Sequence, residues 1–325
     1  MSARDRFLSF RIPPLPCCLS LFLAILPALP RPALAADPAV GPIETAVPPP
    51  AEWGKTDLRF RGVAHVLAIE PGGSLALADG RRLRLAGIVL PSRPLRVPPD
   101  QPWPIEAEAE AALTALTAGK DLQLYQSGQP QDRYGRLLVQ ALREDGLWLQ
   151  TALLRQGLAR VETAPGGRLP IPALLGAEAL ARRAGIGLWA LPAYRVKRPA
   201  EADAWIDSMQ LVEGRITAVH RDKDGLRLAF GGNRRHAFSV HLPFAVWTDW
   251  AAMPTLSRDA DGAPSPATPW TAAPSALVGQ RLRVRGWIGS GSTAEIDVGD
   301  TGQIEWIAPR RDRWRKKAKR RSDWE

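Results

Sequence analysis

The 325 residues are enough for two domains that each bury a core, and the chain carries a formal net charge of +10. The two ends hold much of that charge: residues 1–35 carry four arginines against one acid, and residues 309–325 carry nine lysines and arginines against three acids. The basic character is therefore mainly a property of the ends, and charge alone does not mark the globular parts as polyanion-binding.

The first 35 residues have the three parts of a signal peptide. A region with three arginines precedes an apolar stretch at residues 19–26, and Ala33-Leu34-Ala35 supplies a small-x-small cleavage site. Prolines interrupt the apolar stretch well short of the ~20 residues that a membrane span needs. We expect cleavage after Ala35 and a mature chain that is periplasmic or secreted, without a transmembrane segment. Both cysteines, Cys17 and Cys18, leave with this segment, so disulfides and zinc–thiolate sites are not expected.

An Ala/Pro-rich linker is predicted at residues 36–57, and the first strands follow it. Apolar alternation predicts two strands within residues 58–77, joined by a Pro-Gly-Gly-Ser turn. His65 alternates with Val63 and Leu67, and this pattern predicts a buried core histidine.

Asp79-Gly80 predicts a hairpin that leads into a strand at residues 81–88. On this strand Arg82 and Arg84 share one face, and two leucines share the other. A proline-rich loop at residues 91–104 comes next. Helices are then predicted from Ile105 to Gly119, from Leu149 to Gly157 and from Leu174 to about Arg183, with a strand at residues 121–125.

Three short motifs carry the most information. They are Asp132-Arg133-Tyr134-Gly135-Arg136-Leu137-Leu138, Leu154-Arg155-Gln156-Gly157-Leu158-Ala159 and Gly185-Ile186-Gly187-Leu188-Trp189. With these motifs, residues 58–195 resemble the staphylococcal nuclease (thermonuclease) domain family. The resemblance implies an α+β, mainly β fold: a five-stranded barrel of the OB type with three helices.

Members of that family cut phosphodiester bonds with a calcium ion, a carboxylate base and two arginines that hold the phosphate. The resemblance assigns the arginines to Arg84 and Arg136, whose planar guanidinium groups suit phosphate. It places Gly73 and Val89 where the family has calcium-ligating aspartates, and Ser92 where it has the base. A site without carboxylates offers little to a divalent cation. We therefore predict a nuclease fold that has lost metal-dependent cleavage, holds no calcium, and binds nucleic acid or another phosphate-bearing polyanion through Arg84 and Arg136.

Two other functions stay open. Glu70, Asp79 or Glu106 could replace the missing carboxylates, which would make the protein an active calcium-dependent endonuclease acting on DNA or RNA. Alternatively, the chain could be an envelope module that binds proteins or glycans, in which case Arg84 and Arg136 are ordinary solvated arginines.

Several side chains near the motifs have structural interpretations. Asp132 is predicted to cap the Gly135 turn rather than to act in catalysis. Tyr134 is predicted to pack against the barrel, and Trp148 and Trp189 to serve packing rather than base stacking. The histidines show no metal-ligand spacing, so no metal site is predicted.

A second OB-like barrel is predicted at residues 208–308, after a linker at residues 196–207 that could be flexible. A Pro/Ala/Ser/Asp-rich insertion at residues 254–274 is predicted to be mobile. The alternating arginines Arg281, Arg283 and Arg285 share one strand face. They predict either an OB-type surface for a nucleic-acid strand or a solvated face of mixed charge, and the near-zero charge of this domain favours the second.

The basic tail, residues 309–325, attracts polyanions, chiefly through residues 310–321. Nucleic acid and an anionic membrane surface both suit such a segment, and charge does not choose between them.

Overall fold

The computed structural model describes residues 50–307, with gaps at residues 55, 95–96, 99, 129, 164–167, 232–237, 253–255, 259–263, 267–272 and 292. The predicted signal peptide and basic tail lie outside the described residues. Within the described ranges, no helix combines the length and apolar character that crossing a bilayer requires.

The first part of the chain forms a closed barrel with helices around it. In chain order its elements are β1 (Arg59–Glu70), β2 (Ser74–Leu77), β3 (Arg82–Leu85), β4 (Ile88–Val89), α1 (Glu106–Thr117), β5 (Asp121–Gln126), β6 (Leu137–Arg143), α2 (Leu149–Arg155), β7 (Arg160–Val161) and α3 (Ile171–Ala184). Strands β1, β2, β3, β6 and β5 close the barrel in that order, while β4 pairs with β7 in a separate short ladder. The predicted five-stranded barrel with three helices is confirmed in the described residues.

The residues of strand β1 that face the core are not the ones that apolar alternation predicted. Its pairing shifts register between Phe60 and Gly62 and again between Val66 and Ala68, so the strand bends around the barrel. His65 is exposed, and its Nδ1 lies 3.2 Å from Asp121 Oδ1. The prediction of a core histidine is wrong, because Val63, His65 and Leu67 lie on the outer face of β1, while Ala64 and Val66 between them face the core.

The barrel core extends into the stretch predicted as a linker. Trp53 is buried and packs edge-on against Tyr125 at 5.0 Å and Trp148 at 5.5 Å between ring centroids. Trp148 is also buried, and its Nε1 donates to Gln140 Oε1 at 2.9 Å. Trp189 is partly buried beneath the Arg182 guanidinium, 5.6 Å from the ring centroid. Packing roles for Trp148 and Trp189 are confirmed.

A second barrel follows. Its elements are β8 (Met209–Arg221), β9 (Gly225–Phe230), β10 (Phe238–Pro243), α4 (Phe244–Ala252), β11 (Leu256–Arg258), β12 (Pro264–Pro266), β13 (Arg281–Ser290), β14 (Ala294–Asp297) and β15 (Ile304–Trp306). Strands β8, β9, β10, β14 and β13 form a closed ring, and β15 adds to β13. The predicted second barrel is confirmed. Helix α4 was not predicted, and β11 and β12 form a short antiparallel ladder inside the insertion.

The connection between the barrels is ordered around a buried lysine. Residues Pro199–Trp205 form a 3-10 helix, and Lys197 is 1 % exposed. Lys197 Nζ donates to Ala193 O at 2.7 Å and lies 3.8 Å from the Trp205 ring centroid. The stretch predicted as a possible flexible linker is therefore packed against both of its neighbours.

Lys197 should make stability depend on pH. Burial, helped by the charge of Arg195, lowers the pKa of Lys197 from its ordinary value of 10.5 to about 8. Between about pH 8 and pH 10 the unfolded chain therefore binds more protons than the folded chain, so the unfolding free energy should rise with pH, by ~2 kcal/mol. Urea unfolding across this window measures the rise. Lys197→Met should remove it, whereas Lys223→Met, at an exposed lysine, should keep it; an equal rise in both variants would contradict this assignment.

A buried ion network joins the two barrels. Arg285 of β13 is 1 % exposed, and its guanidinium donates to both carboxylate oxygens of Glu178 on α3, at 2.8 and 3.0 Å. Arg285 also pairs with Glu305 of β15, which in turn accepts from Arg283 at 3.0 Å and from Arg182 of α3 at 3.2 Å. Both predictions for the arginine face of β13 are therefore wrong for Arg283 and Arg285: these side chains are buried, and acids of both barrels, Glu178, Glu213 and Glu305, compensate their charge.

Candidate functional site

The two arginines singled out by the sequence lie on neighbouring strands of the first barrel. Strand β3 runs parallel to β6, and Arg84 lies beside Leu138, two residues beyond Arg136. Two residues of strand span roughly 7 Å. The structure thus brings Arg84 and Arg136 to one region of the barrel surface, as a shared phosphate site would require.

Arg136 leaves a tight turn that Asp132 organises. Asp132 Oδ1 accepts from the backbone N–H groups of Tyr134 at 2.9 Å and Arg136 at 3.1 Å, and Oδ2 accepts from Arg136 Nε at 2.8 Å. Gly135 takes φ 76°, a conformation that glycine adopts without strain. Partial burial acts to raise the pKa of Asp132, but the hydrogen bonds from Arg136 and the backbone outweigh it and lower this pKa. Asp132 is confirmed as the cap of the turn.

Tyr134 stands at the tip of this turn and is 67 % exposed. The guanidinium carbons of Arg133 and Arg136 lie 4.8 and 5.3 Å from its ring centroid, and Arg133 Nη2 donates to the phenol oxygen at 2.7 Å. The prediction that Tyr134 packs against the barrel is wrong. The glycine turn carries the ring away from the barrel, and its two cationic neighbours hold it there.

A cavity of about 320 Å³ opens beside the turn. Its lining comes from the β2–β3 hairpin and from the turn: Gly80, Arg81, Arg82, Gln131, Gly135 and Leu137. We call this cavity, together with Arg133, Tyr134 and Arg136, the basic cleft. Arg81 pairs with Asp79 at 2.6 Å and Arg82 with Glu70 at 3.0 Å, each with its side chain well exposed.

Arg84 is held by a carboxylate that the sequence analysis missed. It pairs with Glu162 Oε2, and Glu162 Oε1 accepts from Trp287 Nε1 at 2.8 Å. Trp287 belongs to β13 of the second barrel and is 51 % exposed. We call these three side chains the Arg84 bridge. No local pattern could have revealed it, since Glu162 lies 78 residues from Arg84 and 125 residues from Trp287 along the chain.

The resemblance assigns three positions to calcium ligation and to the base, and none of the three holds a carboxylate. Gly73 follows β1 with φ 78°, and a Cβ atom there would lie 2.6 Å from Leu90 Cδ2. Val89 pairs with Arg160 in the β4–β7 ladder, and Ser92 is exposed. The turn after β1 and the end of β4 thus come together, and the side chain of Leu90 fills the space between them.

Two of the three acids proposed as substitutes are engaged elsewhere. Glu70 and Asp79 pair with the arginines at the cleft rim, and Glu106 begins α1. Glu110, also on α1, accepts from Gly72 N–H at 2.7 Å and so holds the turn after β1. Within the described residues, no three His, Cys, Asp or Glu side chains cluster so as to hold a metal ion.

Comparison with known proteins finds one family. Residues 82–191 match the family model described as staphylococcal nuclease homologue, over about a third of the chain. The match starts at β3 and ends after α3, so it contains Arg84, the Tyr134 turn and Glu162. It supports the resemblance found in the sequence, and it suggests a nuclease-like or nucleic-acid-binding function. No curated protein matches the chain.

Proposed function

We propose that this is an exported nuclease-like protein that binds single-stranded nucleic acid in the basic cleft and does not cleave it with calcium. The observation that carries the proposal is the exposed Tyr134 ring beside two guanidinium groups, at the edge of a cavity with further arginines on its wall. Export after Ala35 and the absence of a calcium cofactor are parts of the same proposal.

An exposed aromatic ring among arginines suits a single strand. Unpaired bases stack on such a ring, and each stacked base contributes ~1–3 kcal/mol, while the neighbouring cations attract the phosphates. A double helix offers no free base faces to the ring. Tyr134 therefore favours a single strand, and the rim arginines supply the electrostatic part of binding.

Arg136 can contact a phosphate without leaving its turn. Its contacts with Asp132 use Nε and Nη2, which leaves Nη1 for a ligand oxygen. Arg84 is different, because Glu162 already pairs with its guanidinium. We therefore infer that Arg136 is the principal phosphate contact. Arg84 contacts a phosphate only when its guanidinium binds Glu162 and the phosphate at the same time.

The inference against calcium-dependent cleavage rests on the ligand positions. Calcium takes six to eight oxygen ligands, usually with several carboxylates. Gly73 and Val89 offer no side-chain oxygen, and Leu90 occupies the space that a side chain at position 73 would need. These residues do not fit a calcium ion, and they support loss of the metal-dependent reaction.

The basic tail fits the same proposal as a second attachment to a polyanion. Residues 310–321 would add a salt-sensitive contribution that does not depend on sequence, on nucleic acid or on an anionic membrane surface. Binding in the cleft is distinguished from binding by the tail because replacement of Tyr134 should weaken only the first.

Replacement of Tyr134 tests the proposal. In the full chain at about 0.2 M salt, Tyr134→Ala should weaken binding of a labelled oligothymidylate ~5- to 150-fold in an anisotropy titration, since one stacked base is lost. Tyr134→Phe should retain most of the affinity. Leu67→Ala, at a 73 % exposed position on the outside of β1, is the matched control and should leave the dissociation constant unchanged.

Two results would overturn the proposal. Equal affinity of the Tyr134→Ala and Leu67→Ala variants would show that the cleft does not bind the strand, and would favour the tail or a protein or glycan ligand. Calcium-dependent cleavage of the same oligonucleotide that a chelator abolishes would show instead that the protein is an active nuclease.

A further inference from the structure

We propose that Trp287 of the second barrel is a second base-stacking position for the same strand, so that one single-stranded nucleic acid crosses from the first barrel to the second. The inference rests on the proposed function of the basic cleft. It adds a site on the part of the chain that lies outside the family match.

The alternation of β13 explains why this ring is exposed. Arg283, Arg285 and Trp287 share one face of the strand. The two arginines are buried in the ion network between the barrels, and Trp287, the next residue on that face, is 51 % exposed. Strand β13 therefore leaves the interface between the barrels at Trp287, where the indole lies at the edge of the junction.

The Arg84 bridge fixes the ring in place. The Trp287 indole N–H donates to Glu162, which Arg84 holds from the other side. Because the polar atom of the indole is satisfied, its exposed remainder is apolar ring surface. A stacking surface that is ordered before binding loses little conformational freedom when a base docks.

The bridge also connects the ring with the basic cleft. Arg84 lies on β3 beside Leu138, and the Tyr134 turn leads directly into the same strand, β6. A path along these strands therefore runs from Tyr134 and Arg136 past Arg84 to Trp287.

The arginines along this path are each paired with an acid, Arg84 with Glu162 and Arg82 with Glu70, so a phosphate would share them. Arg84 compensates the carboxylate of Glu162, and Arg82 is exposed on the same strand. The two rings then have the arrangement expected for a strand-binding track, in which aromatic platforms alternate with cations.

Oligonucleotide length separates the two positions. With the full chain and labelled oligothymidylates at about 0.2 M salt, Trp287→Ala should weaken binding of a strand of about twelve nucleotides ~5- to 150-fold. It should leave a strand of about four nucleotides, which the cleft alone can hold, nearly unchanged. Trp287→Phe should restore most of the affinity for the longer strand, and Val278→Ala, at a 48 % exposed position before β13, should bind like the unmodified protein.

A second readout separates stacking from a change in charge at Arg84. Loss of stacking should leave the slope of log K against log salt unchanged, because the number of phosphate contacts stays the same. A changed slope would mean that Trp287 acts by positioning Glu162 and Arg84, and would overturn the stacking role.

The two proposals fail differently. If Trp287→Ala binds the longer strand like the unmodified protein while Tyr134→Ala binds it more weakly, the second position is refuted and the cleft stands. If neither variant weakens either strand, both are refuted.

Discussion

Arg285→Ala is expected to lower the free energy of unfolding by ~3–5 kcal/mol, because it removes the buried cation that two buried carboxylates share. Glu178 loses both hydrogen bonds from Arg285 and keeps Arg182 at 3.4 Å, and Glu305 keeps Arg182 and Arg283 but loses Arg285. In the intact protein, burial alone would raise the pKa of Glu305, but Arg285, Arg182 and Arg283 lower it, so the acid stays ionised. Urea unfolding measured by tryptophan fluorescence gives the loss.

The same strand supplies the control. Arg281 of β13 pairs with Glu213, but its side chain is 44 % exposed. Arg281→Ala should therefore cost no more than ~1 kcal/mol, as exposed ion pairs generally do. Equal losses in the two variants would show that burial of the network is unimportant. In the Arg285→Ala variant, weaker contact between the two barrels should also make the connection at residues 196–207 more sensitive to a protease.

Gly187→Ala is expected to destabilise the protein by ~3 kcal/mol or more. Gly187 has φ 58°, and a Cβ atom there would lie 2.6 Å from Gln156 O and closer still to Gly157 O. The left-handed conformation costs a residue with a side chain ~1–2 kcal/mol, and forced overlap in a packed region adds ~1–3 kcal/mol. The main chain cannot move away easily, because Leu188 N–H donates to Gly157 O at 2.8 Å.

Gly185→Ala isolates the contribution of packing. Gly185 ends α3 with φ 62°, nearly the conformation of Gly187, but nothing lies within 4 Å of a Cβ atom built there. This variant should lose only ~1–2 kcal/mol. Thermal unfolding of both variants tests the difference, and equal midpoints would show that backbone conformation alone governs both glycines.

These glycines show how far the sequence predicts the fold. Gly157 and Gly187 belong to two separate motifs of the sequence, and in the structure they pack against each other. Apolar periodicity and glycine positions predicted most of the strands and the three helices of the first barrel, whereas the closure of the strands into a barrel was implied by the resemblance to the family. The prediction failed at His65, because apolar residues occupy both faces of β1 and alternation alone does not show which face lies inward.

The site was less predictable than the fold. The pattern of β3 placed Arg84 on the outer face correctly, but nothing near Arg84 in the sequence indicates Glu162. The alternation of β13 likewise grouped Arg283 with Arg285, yet the acid that faces Arg285 comes from α3, 107 residues away. Side-chain partners of this kind depend on how distant elements pack, and local patterns do not record that packing.

Closure of the first barrel has a consequence for how this chain can be divided. The portion that matches the family model begins at residue 82, but the closed barrel also needs β1 and β2, which precede that residue. At the other end, that portion keeps Glu178 and its neighbour Arg182 but loses Arg285, which donates to both carboxylate oxygens of Glu178. A fragment cut at the limits of the family match would thus have an open sheet edge and a buried acid that lacks its principal cation, so the stretch that matches the family is shorter than the stretch that completes the barrel and the ion network.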